Sequence, residues 1–490
     1  MSCFIGIDLG TSSVKTLLTD EKGKILNSVS KSYPLSFPYD GWSEQNPDDW
    51  WEAVKYCIDK LTLNIDKNEI KGIGCGGQMH GLVILDKDDR VIRPAILWND
   101  GRTDKETDYL NNVIGKDKLS SLTGNIAFAG FTAPKILWVK NNEPENFKKI
   151  AKIMLPKDYI NYKLTGVHSC DYSDASGMLL LDVKNKCWSD EMLKICGIGL
   201  NVMPKLFESY EVIGKVKADI GLPFDIKVVA GAGDNAAAAV GTGTVGDGGC
   251  NISLGTSGTI FISSDKFKVD ALNSLHAFAH ADGGYHLMGC MLSAASCNKW
   301  FYESILETDD YDGLQGSIAE DDLGRNNIYF LPYLMGERSP INDTDARGAF
   351  IGMSMDTSRK AMVQAVMEGV AFAIKDSFEI AVNQGIDIKR SYICGGGAKC
   401  EIWCKMIADI LNIPIDIPLT EDGPGFGGAM LAMVGCGEYE NVEDCCRAIC
   451  KTKRVIEPDK EIALRYKAKY EKFREIYPAM KSLFKKLKEN

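Results

Sequence analysis

The same short motif occurs twice in the chain, about half the chain apart. GIDLGTSSVK occupies residues 6–15, and NISLGTSGT occupies residues 251–259. Both copies contain Ile-x-Leu-Gly-Thr-Ser between two apolar runs, a pattern that predicts a β-hairpin with a tip rich in Gly, Ser and Thr. Solenoid repeats have periods of roughly 20–50 residues. The much longer spacing here therefore predicts two related domains.

The pattern along the rest of the chain predicts an α/β protein. Apolar runs separated by turns follow each copy of the motif and predict a meander of strands, and residues 226–230 form a further buried strand. Apolar residues at helical spacing predict helices over 47–62 and about 358–382, and an exposed helix from 459. Residues 103–215 have a helical, insertion-like pattern. We place the domains at 1–243 and 244–490, with the boundary in a glycine-dense stretch.

Length and charge exclude several classes of protein. A chain of 490 residues is too long for one ordinary core. The net charge of −11 argues against a broad nucleic-acid surface, which needs an excess of Lys and Arg. Asp8 interrupts the first apolar run, which argues against a signal peptide, and no apolar run reaches the roughly 18 residues of a membrane span. The sixteen cysteines form no Cys-x-x-Cys pair, so buried thiols in a cytoplasmic protein are expected rather than disulfides or a metal site.

The two hairpin tips are candidate phosphate sites. Gly10 and Gly255 allow a ligand to approach the backbone closely, and successive amides in a tight turn form an anion-sized concavity. Hydroxyl groups at both tips add donors; they belong to Thr11, Ser12, Thr256 and Ser257. Each tip taken alone could be simply a tight turn. Two matched copies favour a polyphosphate held from both sides.

A dinucleotide site is the rival interpretation of the glycine pattern. Residues 231–236 fit G-x-G-x-x-A, and residues 241–246 fit G-x-G-x-x-G. Such matches are weak without a βαβ context. Asp234 lies inside the first match, where its charge would repel a pyrophosphate, and the second follows an alanine run rather than a strand. No Walker P-loop occurs in the sequence.

Two aspartates are candidates for chemistry. Asp234 follows a buried strand and stands among small residues, a position from which a carboxylate can take a proton from a hydroxyl. The alternative is that Asp234 only caps the helix that begins at Asn235. Asp8, at a strand end beside the first tip, would be unfavourable for bare phosphate but favourable for phosphate-bound Mg²⁺.

Two further glycine-rich loops complete the set of candidates. His80 lies in the loop GGQMHGL and could hydrogen-bond a sugar hydroxyl, although a lone loop histidine is often incidental. The glycines at 395–397 precede a helix and suit a flat base or a ribose packed on backbone. The alternative there is a tight strand–helix joint.

The order of these segments resembles the FGGY family of carbohydrate kinases. The stretches that carry the resemblance are GFTAPKILWVKNN (130–142), LPKDYINYKLTG (155–166), GAGDNAAAAVGTG (231–243), YFLPYLMGERSPINDTDARGAFIGM (329–353) and CGGGAKCEIWCKMIADILNIPI (394–415). GGQMHGLVILD and RPAILWNDGRT are similar to the xylulokinase branch. Together the matches run from about residue 4 to 435.

The resemblance implies a fold and a role for each matching residue. The fold is a pair of duplicated actin-like ATPase (ribonuclease H-like) domains with a cleft between them, with sugar deep in the cleft and ATP above it. Asp234 matches the catalytic base, and Met79, His80 and Asn235 match sugar-pocket positions. The nucleotide positions are Asp8, Gly10, Thr11, Ser12 and Lys15 in the first phosphate motif, Gly255, Thr256 and Ser257 in the second, Gly396, Gly397 and Cys400 in the adenosine motif, and Trp300 near the nucleotide.

The resemblance also implies an activity. The expected reaction is Mg²⁺-dependent transfer of phosphate from ATP to D-xylulose, giving D-xylulose 5-phosphate; another ketose, a polyol or a sugar acid is the alternative acceptor. A non-catalytic sugar- or nucleotide-responsive module is a second class, against which the joint presence of Asp8, His80 and Asp234 argues. Cys400 and Glu401 replace residues common in relatives, Ser-Pro or Asn, and leave the adenine contacts open. A homodimer is one assembly compatible with the sequence.

Overall fold

The computed structural model describes residues 2–420 and 422–488, and it places the first motif in the middle of a mixed sheet. The strands of this N-terminal sheet are β1 (Cys3–Leu9), β2 (Ser13–Asp20), β3 (Ile25–Ser32), β4 (Ile70–Gly77), β5 (Val212–Lys215), β6 (Lys227–Val229) and β7 (Ala232–Gly233). Their order is β5-β6-β4-β1-β2-β3, and β7 also pairs with β4.

The second motif lies in a second sheet with the same plan. The strands of this C-terminal sheet are β8 (Cys250–Leu254), β9 (Gly258–Ser264), β10 (His276–Ala279), β11 (Tyr285–Met291), β12 (Ser391–Cys394), β13 (Ile415–Pro418) and β14 (Thr452–Ile456). Their order is β10-β11-β9-β8-β12-β13-β14.

Six strands of each sheet correspond in their order and pairing. The series β3-β2-β1-β4-β6-β5 corresponds to β11-β9-β8-β12-β13-β14. In both series two antiparallel pairings are followed by two parallel pairings and a final antiparallel one. The predicted duplication of an α/β domain is therefore confirmed.

Helices cover the sheets. They are α1 (Pro47–Leu61), α2 (Thr132–Asn142), α3 (Pro156–Thr165), α4 (Tyr172–Ser176), α5 (Asp234–Thr242), α6 (Ala295–Trp300), α7 (Arg359–Asn383), α8 (Glu401–Leu411), α9 (Gly423–Cys436), α10 (Val442–Ile449) and α11 (Lys460–Lys488). In α1, Asn46 caps the first turn by accepting from the amide of Asp48, and Trp50, Val54 and Ile58 are buried on one face, as the helical spacing predicts.

Short elements make up the remaining regular structure, much of it in the predicted insertion 103–215. The strands are Glu44–Gln45, Val83–Leu85, Ala95–Ile96, Lys152–Met154, Ser169–Asp171, Leu181–Asp182, Cys187–Trp188, Lys205–Phe207, Tyr329–Leu331 and Ala349–Ile351. The α-helices are Asp104–Asp108, Lys116–Thr123, Pro144–Phe147, Asp190–Cys196 and Tyr311–Gly316. Single turns of 3₁₀ or π geometry span Lys67–Glu69, Tyr109–Gly115, Leu200–Val202, Phe301–Ile305, Glu320–Asp322 and Gly396–Lys399.

Helix α9 belongs to the second half of the sequence but packs on the N-terminal sheet. A Cβ atom placed on Gly6 of β1 would lie 1.8 Å from the carbonyl oxygen of Gly425, and one on Gly74 of β4 would lie 2.0 Å from that of Gly428. Only glycine allows backbones to approach this closely. The division at 243/244 stays a prediction from the sequence, and in space α9 joins the two halves.

The insertion joins the halves at a second place, the edge strand β10. The side chain of Asn125 donates to the carbonyl oxygen of Ala277 at 2.9 Å and accepts from its amide at 3.1 Å. The hydroxyl of Ser176 accepts from the amide of Ala279 at 2.9 Å. These backbone contacts position the loops of the first half beside the second sheet.

The described helices and cysteines bear on two of the expectations from the sequence. No helix within residues 2–420 or 422–488 combines the length and apolarity needed to cross a bilayer. No disulfide forms among the cysteines there, most of which are buried, while Cys187 is exposed.

Candidate functional site

The first hairpin tip, between β1 and β2, has its carbonyl groups engaged by side chains. The hydroxyl of Tyr33 donates to the carbonyl oxygen of Gly10. Gln45 donates through Nε2 to the carbonyl oxygen of Thr11 at 2.7 Å, and Trp98 donates through Nε1 to its Oγ1 at 2.9 Å. Among the described residues, none accepts a hydrogen bond from the amides of Thr11 or Ser12. The tip thus presents free N–H groups, as an anion site requires.

The second tip, between β8 and β9, is held differently but presents the same groups. The amide of Ala295 donates to the carbonyl oxygen of Gly255 at 2.9 Å, and that of Ala294 donates to the carbonyl oxygen of Thr256 at 3.1 Å. Within the described ranges, no acceptor meets the amides of Thr256 and Ser257. Both predicted phosphate turns therefore have the geometry that the sequence suggested, and their binding of phosphate stays a prediction.

Asp8 supplies a carboxylate at the first tip. It pairs in register with Lys15 on β2, and Lys15 forms an ion pair with Asp422 at 3.4 Å. Burial raises the pKa of Asp8 to about 6, and the charge of Lys15 opposes this shift. No donor in the described part of the chain hydrogen-bonds the Asp8 carboxylate, which leaves its oxygens available to a cation.

The donor set around Asp8 fits Mg²⁺ bound with a nucleotide better than an isolated metal site. Among the described residues, no group of three or more His, Cys, Asp or Glu side chains is arranged to hold a metal ion. Mg²⁺ commonly takes one or two protein carboxylates and completes its octahedral shell with water and substrate phosphates. A single available carboxylate beside a phosphate turn matches that chemistry.

Asp234 is the first residue of α5, at the end of β7. Its Oδ1 accepts from the backbone amide of Asn235 at 2.8 Å and from the Asn235 side chain at 3.1 Å. Gly233 holds the cap position, and Asp234 is already helical, so the interpretation of Asp234 as a helix cap is wrong. Burial and, to a smaller extent, the negative charge of Asp8 raise the pKa of Asp234 to about 7, while the hydrogen bond from the amide of Asn235 opposes the shift. Such a carboxyl exchanges a proton near neutral pH.

Met79 and Asn235 lie beside Asp234, and a Cβ atom placed on Gly177 would lie 2.5 Å from the ring of His80 and 3.1 Å from Cε of Met79. The side-chain amide of Asn235 lies 3.9 Å from the sulfur of Met79. His80 has a positive φ of 68°, and its Nδ1 is 2.7 Å from the carbonyl oxygen of Gly177. The imidazole stacks on Phe131 with 4.7 Å between ring centroids. Burial and the positive charges of Lys135 and Arg338 lower the pKa of His80 to about 3, so the ring is neutral.

A buried charge cluster supports strand β7, which directly precedes Asp234, and the sequence pattern did not predict this cluster. Lys157 on α3 contacts Asp158 at 2.6 Å, Asp171 at 2.9 Å and Asp174 at 3.7 Å, and all four side chains are buried. Asp171 accepts from the hydroxyl of Ser173, which in turn accepts from the amide of Gly233 at 3.2 Å. In the sequence, the signal for this cluster is the presence of charged residues inside the apolar stretches 155–164 and 171–180.

Gly396 and Gly397 border a cavity of about 280 Å³ in the C-terminal half. Its lining includes Ala295, Asn298, Lys299, Gln315, Gly396, Gly397, Cys400 and Trp403. Three residues of the predicted adenosine motif thus line one cavity. Trp300 does not line it; the indole stacks on Phe330 with 6.3 Å between centroids. A contact between Trp300 and a nucleotide stays a prediction.

Two protein-family models match the chain. The N-terminal domain of the FGGY family of carbohydrate kinases matches residues 3–241, and the C-terminal domain of that family matches residues 250–436. Together the two matches cover most of the sequence.

Individual proteins are similar over nearly the full length. A xylulose kinase of Bacillus subtilis (strain 168) is 38% identical, covering 100% of this chain and 99% of its own. A xylulose kinase of Escherichia coli (strain K12) is also 38% identical, covering 97% and 98%. The crystal structure of a xyloylose kinase from Brucella ovis superimposes with a TM-score of 0.93 at 39% identity, covering 98% and 100%. A gluconate kinase from Lactobacillus acidophilus gives a TM-score of 0.93 at 28% identity, covering 99% of each chain.

Proposed function

The chain belongs to the FGGY family of carbohydrate kinases, and from this premise we propose that it phosphorylates D-xylulose with ATP, giving D-xylulose 5-phosphate and ADP. The observation that carries the proposed mechanism is Asp234, a carboxyl with a pKa of about 7 that lies beside Met79 and Asn235. The names of relatives at 38–39% identity over nearly the whole chain support D-xylulose as the acceptor.

Asp234 acts as the general base in this mechanism. The terminal hydroxyl of the sugar is a weak nucleophile until its proton is accepted, and a positioned base typically gives about 10²–10⁴-fold in rate. The two hydrogen bonds from Asn235 fix Oδ1, and the second carboxylate oxygen is left to face the hydroxyl. The γ-phosphorus of ATP then receives the sugar oxygen, and ADP leaves.

The two hairpin tips position the phosphates from opposite halves of the chain. Phosphoryl transfer demands mainly positioning and stabilisation of charge on phosphate oxygens. The free amides of Thr11, Ser12, Thr256 and Ser257 supply hydrogen-bond donors for these oxygens. Asp8 would hold Mg²⁺, which when bound neutralises charge on the β- and γ-phosphates. The cavity beside Gly396, Gly397 and Cys400 accommodates the adenosine.

A sugar acid is the second candidate acceptor. The gluconate kinase from Lactobacillus acidophilus shares the fold over the full length with a TM-score of 0.93, so this architecture also accepts a substrate with a carboxylate. Its identity of 28% is lower than that of the proteins named xylulose kinases, which favours the ketose. A homodimer and a cytoplasmic location remain part of the proposal.

A coupled assay of ADP formation tests the proposed function. The protein is incubated with ATP, Mg²⁺ and a panel of ketoses, polyols and sugar acids, and the phosphorylated product is identified. D-xylulose is expected to give the highest kcat/KM, with one phosphorylated sugar formed per ADP. A higher kcat/KM with gluconate than with D-xylulose would show that a sugar acid, and not the ketose, is the acceptor. Stoichiometric formation of NADH from NAD with any polyol would overturn the kinase mechanism itself.

A further inference from the structure

A cationic side chain from the C-terminal half, Arg338, lies beside the predicted sugar pocket. Its backbone is fixed on both sides. The carboxylate of Glu337 accepts from the amide of Arg338 at 2.8 Å and from that of Leu292 at 2.9 Å. The amide of Ser339 donates to the carbonyl oxygen of Cys290 on β11 at 2.9 Å. The loop therefore presents Arg338 from the end of a sheet strand, a rigid position.

The guanidinium of Arg338 reaches the aromatic residues that support His80. Its central carbon lies 5.5 Å from the ring centroid of Phe128. Phe128 contacts Phe131 at 5.4 Å, and Phe131 stacks on His80 at 4.7 Å. The charge of Arg338 is close enough to lower the pKa values of both His80 and His276. Arg338 and His80, which come from different halves of the chain, are thus connected through the rings of Phe128 and Phe131.

Arg338 has no carboxylate partner among the residues that the structure describes. Across residues 2–420 and 422–488, no ion pair within 4.0 Å involves its guanidinium. The charge of Arg338 lowers the pKa of the Cys290 thiol and the charge of Asp234 raises it, so both charged groups act on the same residue. A guanidinium has five donors and no acceptor, so most of its hydrogen-bonding capacity is available to a ligand between Cys290, His80 and Asp234.

His80 offers the complementary group. Because Nδ1 faces the carbonyl oxygen of Gly177 at 2.7 Å, that nitrogen carries the proton of the neutral ring. The other nitrogen, Nε2, is then an acceptor. The predicted sugar pocket therefore combines a fixed hydrogen-bond acceptor, Nε2 of His80, with a group that can only donate, the guanidinium of Arg338.

We propose that Arg338 and His80 together recognise the hydroxyketone end of a ketose. The C2 carbonyl oxygen accepts hydrogen bonds from the guanidinium of Arg338, and the C1 hydroxyl donates to Nε2 of His80. This inference rests on the proposed function and extends it, because it assigns Arg338 the role of a specificity residue that selects a ketone at C2.

The donor-only character of Arg338 explains why a ketone is preferred over an alcohol at C2. A carbonyl oxygen accepts from the guanidinium and has no hydrogen of its own. A C2 hydroxyl can also accept, but its hydrogen must find another acceptor inside the pocket. A buried donor without a partner weakens binding. The same arrangement distinguishes ketoses from pentitols of equal length.

Substitution of Arg338 with matched substrates tests the assignment. D-xylulose has both the C1 hydroxyl and the C2 ketone. 1-Deoxy-D-xylulose has the ketone but lacks the C1 hydroxyl, and xylitol has a hydroxyl in place of the ketone at C2. Arg338→Met is expected to lower kcat/KM for D-xylulose by about 10–10²-fold, the range for a lost hydrogen bond to a charged group. The loss for xylitol is smaller, and KM for ATP is unchanged. Arg338→Lys, which keeps the charge but not the fork, is expected to lie between Met and wild type.

Two further variants complete the test. Arg347→Met removes the same charge from an exposed position on the same loop, where the guanidinium donates to the carbonyl oxygens of Thr344 and Ala346. This variant is expected to retain wild-type selectivity. His80→Ala should lower kcat/KM for D-xylulose more than for 1-deoxy-D-xylulose. Equal losses for D-xylulose and xylitol in Arg338→Met, or an equal effect of Arg347→Met, would overturn the assignment while the kinase function stands. Absence of ketose turnover by the wild-type protein would overturn both.

Discussion

The two hairpins share a sequence and differ in construction. Four residues separate the paired Leu9 and Val14 at the first tip, whereas three separate Leu254 and Gly258 at the second. Side chains of the first half hold the carbonyl groups of the first tip, whereas backbone amides that lead into α6 hold those of the second. Both arrangements leave the amides of Thr and Ser free, so the shared motif preserves the donors rather than the loop length.

The two hairpins also differ in charge, because only the first carries a carboxylate beside its tip. Asp8 faces Lys15 across the first hairpin, and Ser253 faces Thr259 at the corresponding place in the second. Asp234, the candidate base, is also in the first half, and it is close enough to Asp8 for their charges to interact. The duplication therefore supplies two phosphate turns, while both carboxylates of the proposed chemistry belong to one half.

The largest expected effect comes from Asp234. Asp234→Asn retains the size of the side chain and an oxygen for the Asn235 amide, but it cannot accept a proton. A fall in kcat of about 10²–10⁴-fold is expected, with the dissociation constant for ATP nearly unchanged, because Asp234 is not part of either tip. Steady-state kinetics and equilibrium titration with ATP measure the two quantities. Full kcat in a folded variant would place the base elsewhere.

The pH dependence follows from the same residue. With a pKa of about 7, Asp234 is mostly protonated below neutral pH and cannot act as a base. We expect kcat/KM for the sugar to fall about tenfold per pH unit below 7 and to level off above about pH 8. A profile that stays flat between pH 5 and 8 would contradict the assignment of Asp234 as the titrating base.

The glycines of the two tips are expected to behave alike, in contrast to the carboxylates. A Cβ on Gly10 would lie 3.1 Å from the carbonyl oxygen of Ser13, and one on Gly255 would lie 3.2 Å from that of Ser257. Each Gly→Ala change should therefore shift the tip and raise KM for ATP by about 5–10-fold, which corresponds to roughly 1 kcal/mol of strain. Gly214→Ala, where the nearest atom is at 3.4 Å, is the control. A loss at only one tip would show that only that tip contacts phosphate.

The smallest expected effect is on stability. Asp234→Asn, which is expected to lower activity, is expected to raise stability at high pH. The pKa of Asp234 is raised in the folded state from its ordinary value of 3.8 to about 7. The folded protein thus holds a proton that the unfolded chain releases, and stability falls as pH rises through this window. Asp234→Asn removes this loss, so its melting temperature should exceed that of wild type at pH 8 but not at pH 4. Equal melting temperatures at pH 8 would mean that the carboxylate is not destabilising.

Local pattern predicted the elements that are built from neighbouring residues. Both hairpins, α1 and α7 follow from turn chemistry and helical periodicity, and α7, predicted over about 358–382, spans Arg359–Asn383 with Ser358 as its cap. The repeated motif predicted the duplicated sheets because each copy begins the same series of strands. Asp8 and Asp234 were identified because a carboxylate among glycines at a strand end is chemically conspicuous.

Contacts between segments that are distant in the sequence could not be predicted from the sequence pattern. Nothing near Gly6 indicates that Gly425 will pack against it, and nothing near Lys157 identifies Asp171 and Asp174 as its partners. Trp300 was placed near the nucleotide by resemblance alone, and its stacking on Phe330 depends on a strand 30 residues further along. Arg338 lies in a quoted motif, but its approach to His80 arises only when the two halves meet.

A titration with Mg²⁺ tests the division of roles between the two hairpins most directly. ADP formation is measured at saturating ATP and D-xylulose while Mg²⁺ is varied, in wild type, Asp8→Asn and Ser253→Ala. We predict that Asp8→Asn raises the Mg²⁺ concentration for half-maximal rate by at least about tenfold, as expected when a carboxylate is lost from a metal site. Ser253→Ala should change it by less than about twofold. An unchanged Mg²⁺ requirement in Asp8→Asn, or equal shifts in both variants, would contradict the account.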